Sequence, residues 1–125
     1  MEQTFGSYVR EKRMARGLSL RALAAKLEVS PVYMSNIEND RRPAPTMEKL
    51  NHLIEILGLC QTDAELLLDL AAKSKTQRVS ADLPEYIMER DIVRAALRTA
   101  KEVDATDEEW QEFIDRITQR GKRGE

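Results

Sequence analysis

The stretch SLRALAAKLEVSPVYMSNIEN, residues 19–39, leaves this chain few folds to choose from. Ser19 can cap a helix, because its side-chain oxygen accepts a first-turn N–H that would otherwise lack a partner. Leu20, Leu23, Ala24 and Leu27 then fall at i, i+3, i+4 and i+7, the spacing of one apolar helical stripe. Glu28 and Val29 form a turn. Ser30 is a second cap, and Pro31 follows at the first helical position, where its missing N–H costs nothing. In this second helix Met34 and Ile37 point to one side. At 100° per residue, Val32, Ser35, Asn36 and Asn39 gather on the other. That outer face is short and uncharged. It combines hydrogen-bonding groups with apolar contact, which suits base edges in a major groove.

These residues resemble the helix-turn-helix of lambda-repressor-like, Cro-type regulators, the XRE family. The resemblance rests on L-A-x-K-L-x-V-S at 23–30, S-N-I-E-N at 35–39 and the Arg41-Arg42-Pro43 that follows. It extends upstream through V-R-E-K-R-M-A-R-G-L-S at 9–19 and downstream through M-E-K-L-N-H-L-I-E-I-L-G at 47–58, covering roughly residues 4–73. Two positions depart from the family pattern. Glu28 stands where relatives often have a turn Gly, so it carries strain if φ is positive there. Leu20 stands where relatives often carry a Gln that contacts the DNA backbone. The resemblance implies an all-α, five-helix lambda-repressor-like DNA-binding domain. It also implies a salt bridge between Arg13 and a Glu late in the recognition helix, here Glu38.

The outer face assigns Ser30, Val32, Tyr33, Ser35 and Asn36 as base contacts. Asn36 is the main polar reader and Val32 a partner for a thymine methyl. Tyr33 lies at the flank, where it reaches a base or phosphate or packs toward the next helix. Arg41 and Arg42 fall where the duplex backbone should pass, so they are phosphate contacts that position the protein without reading sequence. Ser19, Arg21 and Asn39 complete the phosphate set.

Elsewhere the chain reads as helices. Residues 4–16 form the first, with Phe5, Tyr8 and Val9 inward and Gly17 as its left-handed end. Thr46 caps a fourth, which buries Met47, Leu50, Leu53, Ile54 and Leu57 and stops at Gly58. A fifth begins at Thr62, with Leu66, Leu67, Leu70 and Ala71 facing in. Residues 73–81 are polar and aperiodic, and the domain boundary is expected at 75/76. Asp82 caps a short helix; 91–103 forms the next; Thr106 and Glu109 make the capping box of the last. From Gly121 onward a frayed, charged tail is expected.

The module at 76–125 is small for a core of its own. Its Tyr86, Leu97, Trp110, Phe113, Ile114 and Ile117 must therefore pack back onto residues 1–72, against a second copy, or against a protein partner such as a toxin or a regulatory protease. A homodimer is favoured, because a two-fold pair reads two half-sites about 34 Å apart.

Charge and composition limit the alternatives. The net charge of −2 is uneven: residues 1–49 carry nine Lys/Arg against six Asp/Glu, a net of +3, and residues 79–125 carry eight against twelve, a net of −4. That asymmetry directs DNA toward the front. One His and one Cys provide no metal cluster, no phosphate-binding glycine loop is present, and the carboxylates serve as caps and i, i+4 partners. The expectation is a non-enzyme without cofactor. With no membrane-spanning run, no signal sequence and a lone Cys60, a cytoplasmic location follows. The expected function is a sequence-specific transcriptional regulator, a homodimeric repressor on double-stranded DNA. The alternative is an antitoxin that binds DNA and neutralises a partner through its C-terminal helices.

Overall fold

In the computed structural model, which describes residues 2–75 and 79–123, every element is helical. The chain forms two compact units, Met1–Pro84 and Glu85–Glu125.

The first unit contains α1 (Phe5–Ala15), α2 (Leu20–Leu27), α3 (Pro31–Glu38), α4 (Met47–Leu57) and α5 (Gln61–Lys73). Each of the first three starts on a side-chain cap. Thr4 and Ser7 form a reciprocal capping box, Ser19 accepts from the Ala22 N–H, and Ser30 accepts from the Tyr33 N–H. Thr46 precedes α4 without a capping hydrogen bond. The ends are also chemically defined. Leu18 N–H bonds to Arg13 O, Val29 to Ala24 O, Arg41 to Asn36 O and Leu59 to Ile54 O, each across a residue with positive φ. Gly17 and Gly58 fill two of those positions; Glu28 (φ 61°) and Asp40 (φ 58°) fill the others.

The apolar stripes converge on one core. Val9, Leu23, Leu27, Met34, Ile37, Leu53 and Leu67 are fully enclosed. At about 1.5–3 kcal/mol for each large apolar side chain buried, these seven supply much of the drive to fold. α3 packs between α1 and α2, while α4 rests on α2 and α5 on α1. Polar ties fix the arrangement. Tyr8 donates from its hydroxyl to Asp63 O, and Lys49 donates from Nζ to the terminal α2 carbonyl of Leu27.

Three further details of this unit differ from the sequence reading. α5 buries Leu67 and Leu68, whereas Leu66 is exposed. α5 starts one residue early, at Gln61. The first unit also extends beyond the expected 75/76 boundary to Pro84. The reason is local packing: Ser80 is buried and donates its hydroxyl to Asp69, and Val79, Ala81 and Pro84 line a cleft with Met47, Leu50 and Leu68. Within the expected linker, residues 76–78 lie outside the described residues.

From Pro84 onward the chain forms α6 (Pro84–Glu89), α7 (Asp91–Val103) and α8 (Asp107–Arg123), and the second unit begins at Glu85. Pro84 opens α6, the one turn where proline fits a helix. Arg94 ties α7 to α6 by donating to the Ile87 carbonyl. α7 ends at Asp104, in the left-handed region, and Thr106 with Glu109 forms the expected capping box of α8. α8 continues through Gly121 to Arg123 rather than fraying at Gly121. Val93, Ala96, Leu97 and Ala100 face Trp110 and Phe113 across a groove of about 410 Å³. None of the described residues in this unit is buried. No helix of the described residues is long and apolar enough to cross a membrane.

Candidate nucleic-acid interface

α3 presents its outer face as a short ledge. Val32 is 71% exposed at the start, and Ser35 and Asn36 are half-buried along its length. The Asn36 backbone carbonyl accepts from Arg41 N–H at 2.9 Å. Among the described residues its side-chain amide makes no hydrogen bond, so both its donor and its acceptor remain free.

The inner face of α3 is held unusually firmly. Arg13 donates from Nε to Glu38 Oε2 at 2.7 Å and from Nη2 to Glu38 Oε1 at 3.0 Å, a two-pronged pair. Its Nη1 also donates to Leu18 O at 2.9 Å, tying the pair to the loop before α2. The bonds to Glu38 raise the Arg13 pKa further, against the opposing effect of burial. Arg10 approaches Glu38 at 3.4 Å from a more exposed side. Glu38 is thus a buried carboxylate shared by two guanidinium groups, the circumstance in which burying a charge is tolerated.

Two residues that sequence reasoning missed complete this anchorage. Asp40 folds back onto the start of α1, where Oδ2 accepts from the Thr4 hydroxyl at 2.6 Å and Oδ1 from the Gly6 N–H at 3.0 Å. A negative charge at a helix N-terminus is favourable there. Gly6 permits the approach: a Cβ on it would lie 2.5 Å from the carbonyl oxygens of both Ile37 and Glu38. Helical periodicity carries no signal for such a contact. An aspartate directly after a helix, where the left-handed end residue belongs, is the nearest sequence clue.

The loop carrying Arg41 and Arg42 is pinned at both ends. Asp40 holds one side, and Ala44 N–H donates to Ser74 Oγ at 3.1 Å on the other. Arg41 and Arg42 are exposed, and with Lys73 they line a cleft of about 490 Å³. The Arg42 guanidinium lies over the Tyr33 ring, 5.4 Å from its centroid. Tyr33 itself is half-buried and packs against the core.

The remaining sequence candidates fall into two groups. Ser19 and Ser30 are exposed, and each caps its helix as an acceptor, leaving its hydroxyl proton available. Arg21 is exposed on α2. Asn39 is engaged within the chain: Oδ1 accepts from Arg10 at 2.7 Å, and Nδ2 donates to Ser35 O at 2.9 Å. Tyr86, Leu97, Trp110, Phe113, Ile114 and Ile117 all lie in the second unit and are between 37% and 55% exposed.

A two-helix turn braced by a third helix, with an open polar face on the second, defines a helix-turn-helix protein. The sequence profile of the family described as "Helix-turn-helix domain" matches residues 4–67, so this chain belongs to that family. It is similar to the HTH-type transcriptional regulator RamB of two Mycobacterium tuberculosis strains, at 38% identity over 93 residues. That match covers 74% of this chain and 18% of the relative's length. Among solved structures, the SinR–SinI protein complex is similar at 21% identity and a TM-score of 0.48, covering 95% of this chain and 99% of that one. The clp gene regulator ClgR from C. glutamicum is similar at 31% identity and a TM-score of 0.45, covering 59% and 91%. The family's description and that of the RamB relatives both name a helix-turn-helix.

Proposed function

We propose that this chain is a sequence-specific DNA-binding transcriptional regulator that inserts α3 into the major groove. The observation that carries the reading is the outer face of α3: Val32, Ser35 and an Asn36 amide left free, on a helix whose inner face is locked. Asn36 can pair bidentately with an adenine edge, and Val32 can meet a thymine methyl. Ser30 donates at the entry to the groove. Arg41, Arg42, Arg21 and Ser19 contact phosphates, supplying affinity and orientation.

The protein acts as a homodimer and represses transcription by occupying an operator that overlaps a promoter. The support for the dimer is the exposed apolar face of the second unit, where Trp110, Phe113, Ile114 and Ile117 are each more than a third accessible. Such side chains in a module without a buried core need a partner. Selection from a random duplex pool tests the whole reading. A two-fold sequence with half-sites about one helical turn apart is expected. A single asymmetric site would remove the dimer, and no enrichment would remove sequence-specific recognition. Replacing Ile114 and Ile117 with Asn should convert the sedimenting species to a monomer. A wild-type chain that sediments as a monomer would instead assign this face to a different protein, as in the antitoxin alternative.

A further inference from the structure

Arg42 does not project freely into solvent. Its guanidinium carbon lies 5.4 Å from the centroid of the Tyr33 ring, within cation–π range. The Tyr33 ring cannot swing far, because it is half-buried and packed against the core. The Arg42 backbone is held too, between Asp40, which is bonded to Thr4 and Gly6, and Ala44, which is bonded to Ser74. Ring and loop together restrict one long, flexible cation.

A guanidinium held over a ring by cation–π attraction keeps its rim of N–H donors available for hydrogen bonds. That is the geometry a phosphate requires, since a phosphate is bound through the rim. We propose that Tyr33 is a positioning residue: its ring holds Arg42 with the N–H rim directed to a DNA phosphate, and its hydroxyl reads no base. The assignment replaces the base-contact role expected for Tyr33 from its place at the flank of α3. It rests on the DNA-binding reading above.

The test is fluorescence anisotropy of the full chain on one short labelled duplex of mixed sequence, repeated across a salt series. Arg42→Gln should lower the slope of log K against log salt by about 0.9, the loss of one phosphate contact. Tyr33→Met, with its fold checked by circular dichroism, should move the slope toward the same value. The double variant should bind no more weakly than Arg42→Gln alone. Tyr33→Phe, which keeps the ring, should match wild type. Loss of affinity in Tyr33→Phe would overturn the proposal by showing that the hydroxyl makes a contact, and additive effects in the double variant would overturn it by showing that Tyr33 acts independently of Arg42.

A second measurement needs no destabilised variant. The Arg42 side-chain protons should show an upfield ring-current shift in both wild type and Tyr33→Phe, and unshifted protons would overturn the contact itself. Wild type that binds no duplex at any salt defeats the DNA reading and this assignment together. Wild type that binds, with independent variants, defeats this assignment alone.

Discussion

Arg13 and Glu38 are locked at 2.7 and 3.0 Å with both side chains largely withdrawn from water, and this pair joins the first helix to the far end of the third. Removing one partner of a buried pair leaves the other charge uncompensated, which costs more than the pair itself contributes. Glu38→Ala should therefore lower stability by about 3 kcal/mol, seen as an earlier urea midpoint with an unchanged slope. The paired change Arg13→Met with Glu38→Leu should recover most of that loss. A Glu38→Ala protein that melts like wild type would mean that both charges are solvated.

The contact between Gly6 and the α3 carbonyls makes a sharper steric prediction. Gly6→Ala places a methyl 2.5 Å from two backbone oxygens, neither at the end of a flexible side chain. Alanine ordinarily favours a helix interior by about 1 kcal/mol over glycine. Here the sign should reverse, with a loss of about 1–3 kcal/mol as α1 is pushed away from α3. Thermal melts of the single variant decide it.

Glu28 and Asp40 occupy the same left-handed conformation, yet glycine should affect them oppositely. Glu28 is exposed and makes no side-chain hydrogen bond among the described residues, so Glu28→Gly relieves strain. A gain of about 1 kcal/mol, worth about 4–8 °C in Tm for a domain of this size, is expected. Asp40→Gly relieves similar strain but loses the bonds to Thr4 and Gly6, so a net loss of about 1–2 kcal/mol is expected.

Those contrasts show what the sequence made legible. The stripes at Leu23, Ala24 and Leu27 and at Met34 and Ile37 were plain because helical burial repeats with a fixed period. The Glu28 strain was legible from the family resemblance, because relatives often place Gly at that turn. The Arg13–Glu38 pairing came from the family resemblance, as periodicity says nothing about which charges meet. Gly6 and Asp40 were not legible as partners, since their meeting depends on how two distant segments cross. The bond from Arg10 to the exposed Asn39 was not legible for a related reason, since Arg10 reaches it from α1.

The Tyr8–Lys12–Asp63 cluster predicts a pH dependence. Burial raises the Tyr8 pKa above its ordinary 10.0, with the Lys12 charge partly offsetting this. The hydrogen bond to Asp63 raises that of Lys12 above 10.5. Both groups hold their protons more tightly when folded. Their contribution is fully present below about pH 10 and is lost as pH rises through the folded values. Tm should decline above pH 10, and Tyr8→Phe should decline less steeply, because one of the two proton losses is gone. Equal slopes for the two proteins would detach Tyr8 from the alkaline transition.

The most direct test of the central claim is anisotropy of the full chain on DNA flanking its own gene, comparing wild type, Asn36→Ala and the Arg41→Ala/Arg42→Ala pair at low and moderate salt. The account predicts that Asn36→Ala costs about 1–3 kcal/mol on the preferred sequence and little on any other, whereas the arginine pair weakens binding to every sequence and flattens the salt dependence by about two contacts. Wild-type binding that is weak, uniform across sequences and indifferent to Asn36 would contradict it, and would remove α3 as a reader of DNA sequence.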